Sequence, residues 1–139
     1  MPPDSRAHNP SATGDSRALK GKRGLQRVWN ACRYSIDGFV AAWNEEDAFR
    51  QEVILAVVLI PIAIFLPVDF IERILMISSI FLVIIIELLN SAVEAAIDRH
   101  SFEINPLAKR AKDLGSAAVM LSLLLAGGIW IAILWSRFA

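Results

Sequence analysis

The chain has little of what many catalytic and metal sites are built from. A single cysteine, Cys32, occurs in 139 residues. That excludes an intramolecular disulfide and any cysteine-rich metal site. The two histidines, His8 and His100, lie far apart and make no metal pair by spacing. No glycine-rich phosphate loop of the Walker type occurs, and no protein-kinase signature. Residues 1–23 are dominated by Pro, Ser, Asp, Gly and Arg. They contain no apolar core of the kind a secretory signal needs, and no apolar period from which a packed core could form. Net charge is absent too, with 14 basic against 14 acidic residues, and no nucleic-acid partner is expected.

What the chain does have is apolar length. Hydrophobic residues make up 55% of it and mean hydropathy is +0.50, whereas a soluble domain usually holds about 45–50% apolar residues. One domain is the natural count, residues 24–139, preceded by a disordered polar and basic tail over 1–23. The tail reads as a solvated extension rather than a lipid-headgroup ligand.

Within 24–44, Leu25, Val28, Trp29, Cys32, Ile36, Phe39, Val40 and Trp43 recur at threes and fours. This is an amphipathic helix suited to the plane of a membrane interface. The acidic run at 44–47 breaks it and is placed to cap the next helix. Three apolar spans follow, at 48–67, 70–98 and 107–136, each long enough for a ~30 Å hydrocarbon layer. Pro61 is expected to bend the first, Pro106 to open the third, and Gly127-Gly128 to admit a close helix approach. Trp29, Trp43, Trp130 and Trp135 read as interfacial anchors. The fold class is therefore an all-α membrane protein of three transmembrane helices plus an N-terminal surface helix. Arg and Lys gather in the N-terminal region and in 99–112, while 67–73 holds Asp69 and Glu72 against Arg73. By the positive-inside rule the N-terminus and the 99–112 loop are cytoplasmic.

The second span runs without a breaker into Glu87-Leu-Leu-Asn-Ser-Ala-Val-Glu-Ala-Ala-Ile-Asp98. On a helix Glu87, Asn90, Ser91, Glu94 and Asp98 share one stripe, about 16 Å long. Leu88, Leu89, Val93, Ala96 and Ile97 form the opposite face. Carboxylates in such a place are costly to bury and read as functional by default. Together with Glu46, Glu52, Lys112 and Asp113 they fall near one membrane face. Carboxylates and an amide suit a hard cation such as magnesium. Basic groups beside them suit a polyphosphate. A glutamate half in the apolar layer suits proton acceptance from a hydroxyl. Those parts make a phosphoryl-transfer site, although proton or ion translocation would use a similar set of acids.

That motif resembles the signature of the prokaryotic diacylglycerol kinases. So do Ala41-Ala-Trp-Asn-Glu-Glu-Asp-Ala-Phe-Arg-Gln-Glu52 and Arg110-Ala-Lys-Asp-Leu-Gly-Ser-Ala-Ala-Val119, and the likeness runs from about Gly24 to the C-terminus. The resemblance implies a homotrimeric helix bundle with shared active sites. It would be integral to the bacterial inner membrane, multi-pass, with its N-terminus cytoplasmic. It would transfer the ATP γ-phosphate, with magnesium, to 1,2-diacylglycerol and give phosphatidic acid in phospholipid recycling. A trimer also fits the difficulty of shielding the acidic stripe with three helices alone.

Carried over by likeness, Glu87 is the general base and Asn90 positions the reactants. Glu46 and Glu94 hold magnesium and the ATP phosphates. Arg27, Tyr34, Glu103, Asn105, Lys112 and Asp113 contact nucleotide. Arg27, Ser35, Trp43, Phe49, Arg50, Gln51, Glu52, Glu87 and Ser116 meet the lipid substrate. Where familiar members carry Tyr-His, this chain has Ile104-Asn105. Two other readings stand beside this one: an undecaprenol kinase of the same family, and a non-catalytic membrane subunit or proton channel.

Overall fold

The computed structural model describes residues 16–98 and 106–139, with side chains from residue 24 onward. Glu103 and Asn105 lie outside the described residues, as does the tail over 1–15. Four helices follow one another: α1 Ser16–Glu45, α2 Asp47–Phe65, α3 Phe70–Asp98 and α4 Pro106–Phe138. The last three are long and apolar enough to cross a membrane.

The chain divides into two compact units between Phe39 and Val40, within α1. In the first unit, α1 starts at Ser16, eight positions before the start expected from the apolar period. Arg17, Ala18, Leu19, Lys20, Lys22 and Arg23 are good helix formers, so propensity extends the helix beyond its amphipathic stripe. None of residues 24–39 is buried. Ser35 Oγ donates to the Ala31 carbonyl at 3.0 Å, and the Arg33 guanidinium stands 5.9 Å from the Tyr34 ring centroid.

In the second unit α3 is the central element and packs against both α2 and α4. Its buried residues are Met76, Ser79, Ile80, Val83, Glu87 and Ser91, each three or four positions from another, so one helical face points inward along most of its length. Phe49 of α2 and Met76 of α3 are the largest fully buried side chains. A core of Ala63, Val68, Met76 and Ile133 ties the α2–α3 turn to the end of α4.

Arginines bind that turn. Arg73 Nε donates to the Ala63 carbonyl at 3.2 Å, and its Nη2 to those of Leu66 at 3.2 Å and Val68 at 3.5 Å. These carbonyls lie at and beyond the end of α2, where intrahelical donors run out. Arg137 Nε donates to the Pro67 carbonyl at 2.8 Å and its Nη2 to Asp69 Oδ1 at 2.9 Å. At the start of α3 the Glu72 carboxylate accepts the Asp69 N–H at 2.9 Å, as in one half of a capping box.

α2 continues past Pro61 for four residues, as helices in apolar surroundings tolerate. Two local expectations change. Among the described residues, a Cβ on Gly127 or Gly128 would meet nothing within 4 Å, so no other helix of the same chain approaches closely there. Trp130 is half-buried and donates its indole N–H to the Met76 carbonyl at 3.3 Å. It joins α4 to α3 rather than merely marking a membrane boundary.

Candidate active site

The site is built where α1 gives way to α2. Glu46 is the one residue between them, with extended backbone at φ −115° and ψ 110°. Its carbonyl starts α2 by accepting from Arg50 N at 3.2 Å. The sequence reading had the acidic run capping this helix, but the Glu46 side chain makes no cap hydrogen bond. Its carboxylate instead lies within coulombic reach of Glu87. The break at Glu46 is held from below by Arg50. That guanidinium pairs with Asp47 and donates to the carbonyls of Trp43 at 2.9 Å and Asn44 at 3.2 Å.

Glu87 is only 4% exposed, although it lies on the face that carries Met76, Ile80 and Val83 higher in α3. Glu94 also falls within its coulombic reach, and Glu52 within reach of Glu87. Four carboxylates thus share one end of the α2–α3–α4 assembly. Among the described residues no lysine or arginine pairs with any of them. A single chain already buries Glu87 and Ser91, while Asn90 and Glu94 stay half-buried and Asp98 exposed. Asn90 Nδ2 donates to Glu94 Oε1 at 3.1 Å. Three buried side-chain atoms here lack a hydrogen-bond partner among the described residues: Glu52 Oε2, Asn90 Oδ1 and Ser91 Oγ. Buried polar atoms are ordinarily paired, so the cluster has unused capacity for a polar ligand.

Lys112 Nζ pairs with Asp98 Oδ1 at 2.7 Å and lies within coulombic reach of Glu94. Asp98 is therefore tied to α4 while its side chain stays 65% exposed. Lys109 and Asp113 pair at 2.6 Å along exposed α4. Ser116 is exposed.

An apolar groove of about 280 Å³ runs from this cluster, lined by Glu52, Leu55, Leu59, Ile80, Val83, Leu123 and Trp130 among others. Glu52 is the one charged residue in its wall. Gln51 is exposed and Arg50 half-buried. Phe49, assigned to the lipid contacts by resemblance, is 2% exposed and belongs to the core. Trp43 stays 43% exposed. Arg27, Tyr34 and Ser35 are exposed on α1 in the first unit.

Among the described residues no three His, Cys, Asp or Glu side chains converge closely enough to hold a metal by themselves. Glu46 and Glu94, both within coulombic reach of Glu87 and in no ion pair among the described residues, fit a hard cation that arrives with phosphate oxygens and needs only one or two carboxylates. They do not fit a caged resident ion. Two residues without an assigned role also belong to the cluster: Ser91, for its buried hydroxyl, and Gly115, which abuts Asn90. A glycine inside an otherwise regular helix was the available signal for the second.

Three apolar spans, with one buried acid, three half-buried acids and a half-buried amide at one end beside a lysine, define an integral-membrane protein with a polar site opening on an apolar groove. Comparison makes the class particular. Residues 33–134 match the prokaryotic diacylglycerol kinase family. The chain is 53% identical over 116 residues to a diacylglycerol kinase of Pseudomonas aeruginosa, covering 84% of this chain and 94% of that one. It is 48% identical over 115 residues to the Escherichia coli diacylglycerol kinase, covering 83% and 94%. A Helicobacter pylori diacylglycerol kinase is 46% identical over 116 residues, covering 84% and 87%. The chain belongs to the prokaryotic diacylglycerol kinase family.

Proposed function

We propose that the chain phosphorylates 1,2-diacylglycerol to phosphatidic acid with ATP and magnesium. The observation that carries this reading is Glu87, buried on the inner face of α3 with Glu46 and Glu94 within coulombic reach and the groove through Glu52 beside it. In the reaction a lipid hydroxyl oxygen bonds to the γ-phosphorus of ATP. The bond from that phosphorus to the bridging oxygen breaks, and ADP leaves with the bond's electron pair. The hydroxyl proton goes to the Glu87 carboxylate. Asn90 orients the reactants through its amide. Glu46 and Glu94 would hold magnesium, which supplies neutralisation of phosphate charge when bound. Lys112 and Asp113 meet the nucleotide, and the groove receives an acyl chain, with Glu52 near the headgroup.

Glu103 and Asn105 are kept as nucleotide contacts on resemblance alone. The same holds for Arg27 and Tyr34, and for Ser35, Trp43, Arg50, Gln51 and Ser116 on the lipid side. The protein works in the inner membrane with its N-terminus cytoplasmic, as a homotrimer with shared sites.

Purified protein in micelles with labelled ATP, magnesium and short-chain diacylglycerol tests the reading. Label is expected on the diacylglycerol. Transfer to undecaprenol in preference would reassign the acceptor, and no transfer to either alcohol would remove the kinase reading.

A further inference from the structure

Lys112 and Asp113 of the third signature segment are the proposed nucleotide contacts, and a glycine follows two positions on. Gly115 lies in the interior of α4, where glycine destabilises a helix by roughly 1 kcal/mol relative to alanine. Of the five glycines from residue 24 onward, it alone has a neighbour where a Cβ would stand. That Cβ would overlap Asn90 Oδ1, with Asn90 Cγ 3.3 Å and Cβ 3.9 Å away. The close approach is therefore to the Asn90 side chain and not to the α3 backbone. Asn90 Oδ1 is buried there without a hydrogen-bond partner among the described residues, while the other end of the amide donates to Glu94 Oε1. Space on one side and a carboxylate on the other define the amide's direction.

We propose that Gly115 is a positioning residue for nucleotide binding. By presenting only hydrogen to α3, it leaves the room in which Asn90 extends to hold Glu94. A methyl group at 115 meets the end of a rotatable side chain, so the strain is relieved by turning Asn90 rather than by parting the helices. The turned amide no longer reaches Glu94, and that carboxylate loses its fixed orientation. The inference rests on the reading of Glu94 as a magnesium–ATP ligand.

The test uses the full chain in micelles, with Gly115→Ala and Asn90→Ala made singly and together. Magnesium–ATP and lipid are varied separately, and binding of a fluorescent ATP analogue with magnesium is measured alongside. Gly115→Ala is expected to raise KM for magnesium–ATP and weaken analogue binding, with kcat/KM for the nucleotide down about a hundredfold and KM for the lipid unchanged. In the Asn90→Ala background the glycine substitution is expected to add nothing, because the side chain it displaces is gone. If Gly115→Ala alone does not fold, the double variant is expected to fold. Any of four results would overturn the proposal: equal loss in both backgrounds, a loss shared by the lipid KM, wild-type behaviour of Gly115→Ala, or a double variant that fails to fold. Wild-type protein that transfers no phosphate would overturn the kinase reading instead. Normal magnesium–ATP kinetics in Glu94→Gln would overturn the role of Glu94 and with it the route by which Gly115 acts.

Discussion

A carboxylate 4% exposed, facing inward on a helix lined with isoleucine and valine, is an expensive arrangement. Its ionised form gives up hydration, and Glu46, Glu94 and Glu52 add like charge around it. Glutamine has nearly the same volume and removes both burdens. Glu87→Gln should therefore be at least as resistant to thermal inactivation as the parent protein, while kcat falls by about 10²–10⁴, the usual contribution of a general base. Binding of magnesium–ATP should persist. Glu94→Gln should behave differently. Its amide oxygen can still accept from Asn90 Nδ2, so the local hydrogen bond survives while the charge is lost. KM for magnesium–ATP should rise and kcat should change less. Steady-state kinetics beside thermal inactivation separate the two patterns. Normal turnover by Glu87→Gln would leave the burial of that acid without a catalytic reason.

At the scale of elements, the three spans were legible because apolar runs bounded by charge leave few alternatives. Observed ends at Phe65, Asp98 and Phe138 fall within two residues of those expected. The helical stripe of Glu87, Asn90, Ser91 and Glu94 was equally legible, since a period of 3.6 needs no tertiary information. What depended on neighbours was not. Glu46 looked like a capping residue, and only packing decides whether its carboxylate turns to the α2 backbone or to Glu87. Trp130 looked like an anchor because a sequence does not reveal that the Met76 carbonyl stands 3.3 Å from its nitrogen. Gly127-Gly128 looked like the tight contact, yet among the described residues that contact is at Gly115, against the Asn90 side chain, because contacts across helices depend on how they lean.

Arg73 belongs to the same category. Its three acceptor carbonyls lie 5 to 10 residues back in the chain, a connection formed only when the α2–α3 turn closes. Hydrogen bonds to a charged group contribute about 1.5–3 kcal/mol. Arg73→Met should lower stability by about 2 kcal/mol, read as faster thermal inactivation in micelles, with KM for both substrates unchanged. A rise in either KM would mean that the turn communicates with the site at the other end of the helices.

For the whole molecule, sidedness decides whether the chemistry is possible at all. α3 has 29 residues, about 44 Å of helix, against a hydrocarbon layer of ~30 Å. About nine residues must therefore extend beyond that layer, and the polar stretch at 90–98 has that length. Asp98 and Lys112 hold α3 and α4 together at that end, while Arg137 and Asp69 do so at the opposite one. Lys109, Arg110 and Lys112 open α4, and its far end carries only Arg137, an asymmetry from which the positive-inside rule predicts a cytoplasmic basic end. With Cys32→Ser as background, a membrane-impermeant maleimide should react with Lys109→Cys in inside-out vesicles and not in intact cells stripped of their outer layer. Ala139→Cys should give the reverse. ATP is supplied from the cytoplasm, so the opposite labelling pattern would leave Glu46, Glu87 and Glu94 facing a compartment without a phosphate donor, and no arrangement of side chains could then make this chain a kinase of membrane lipid.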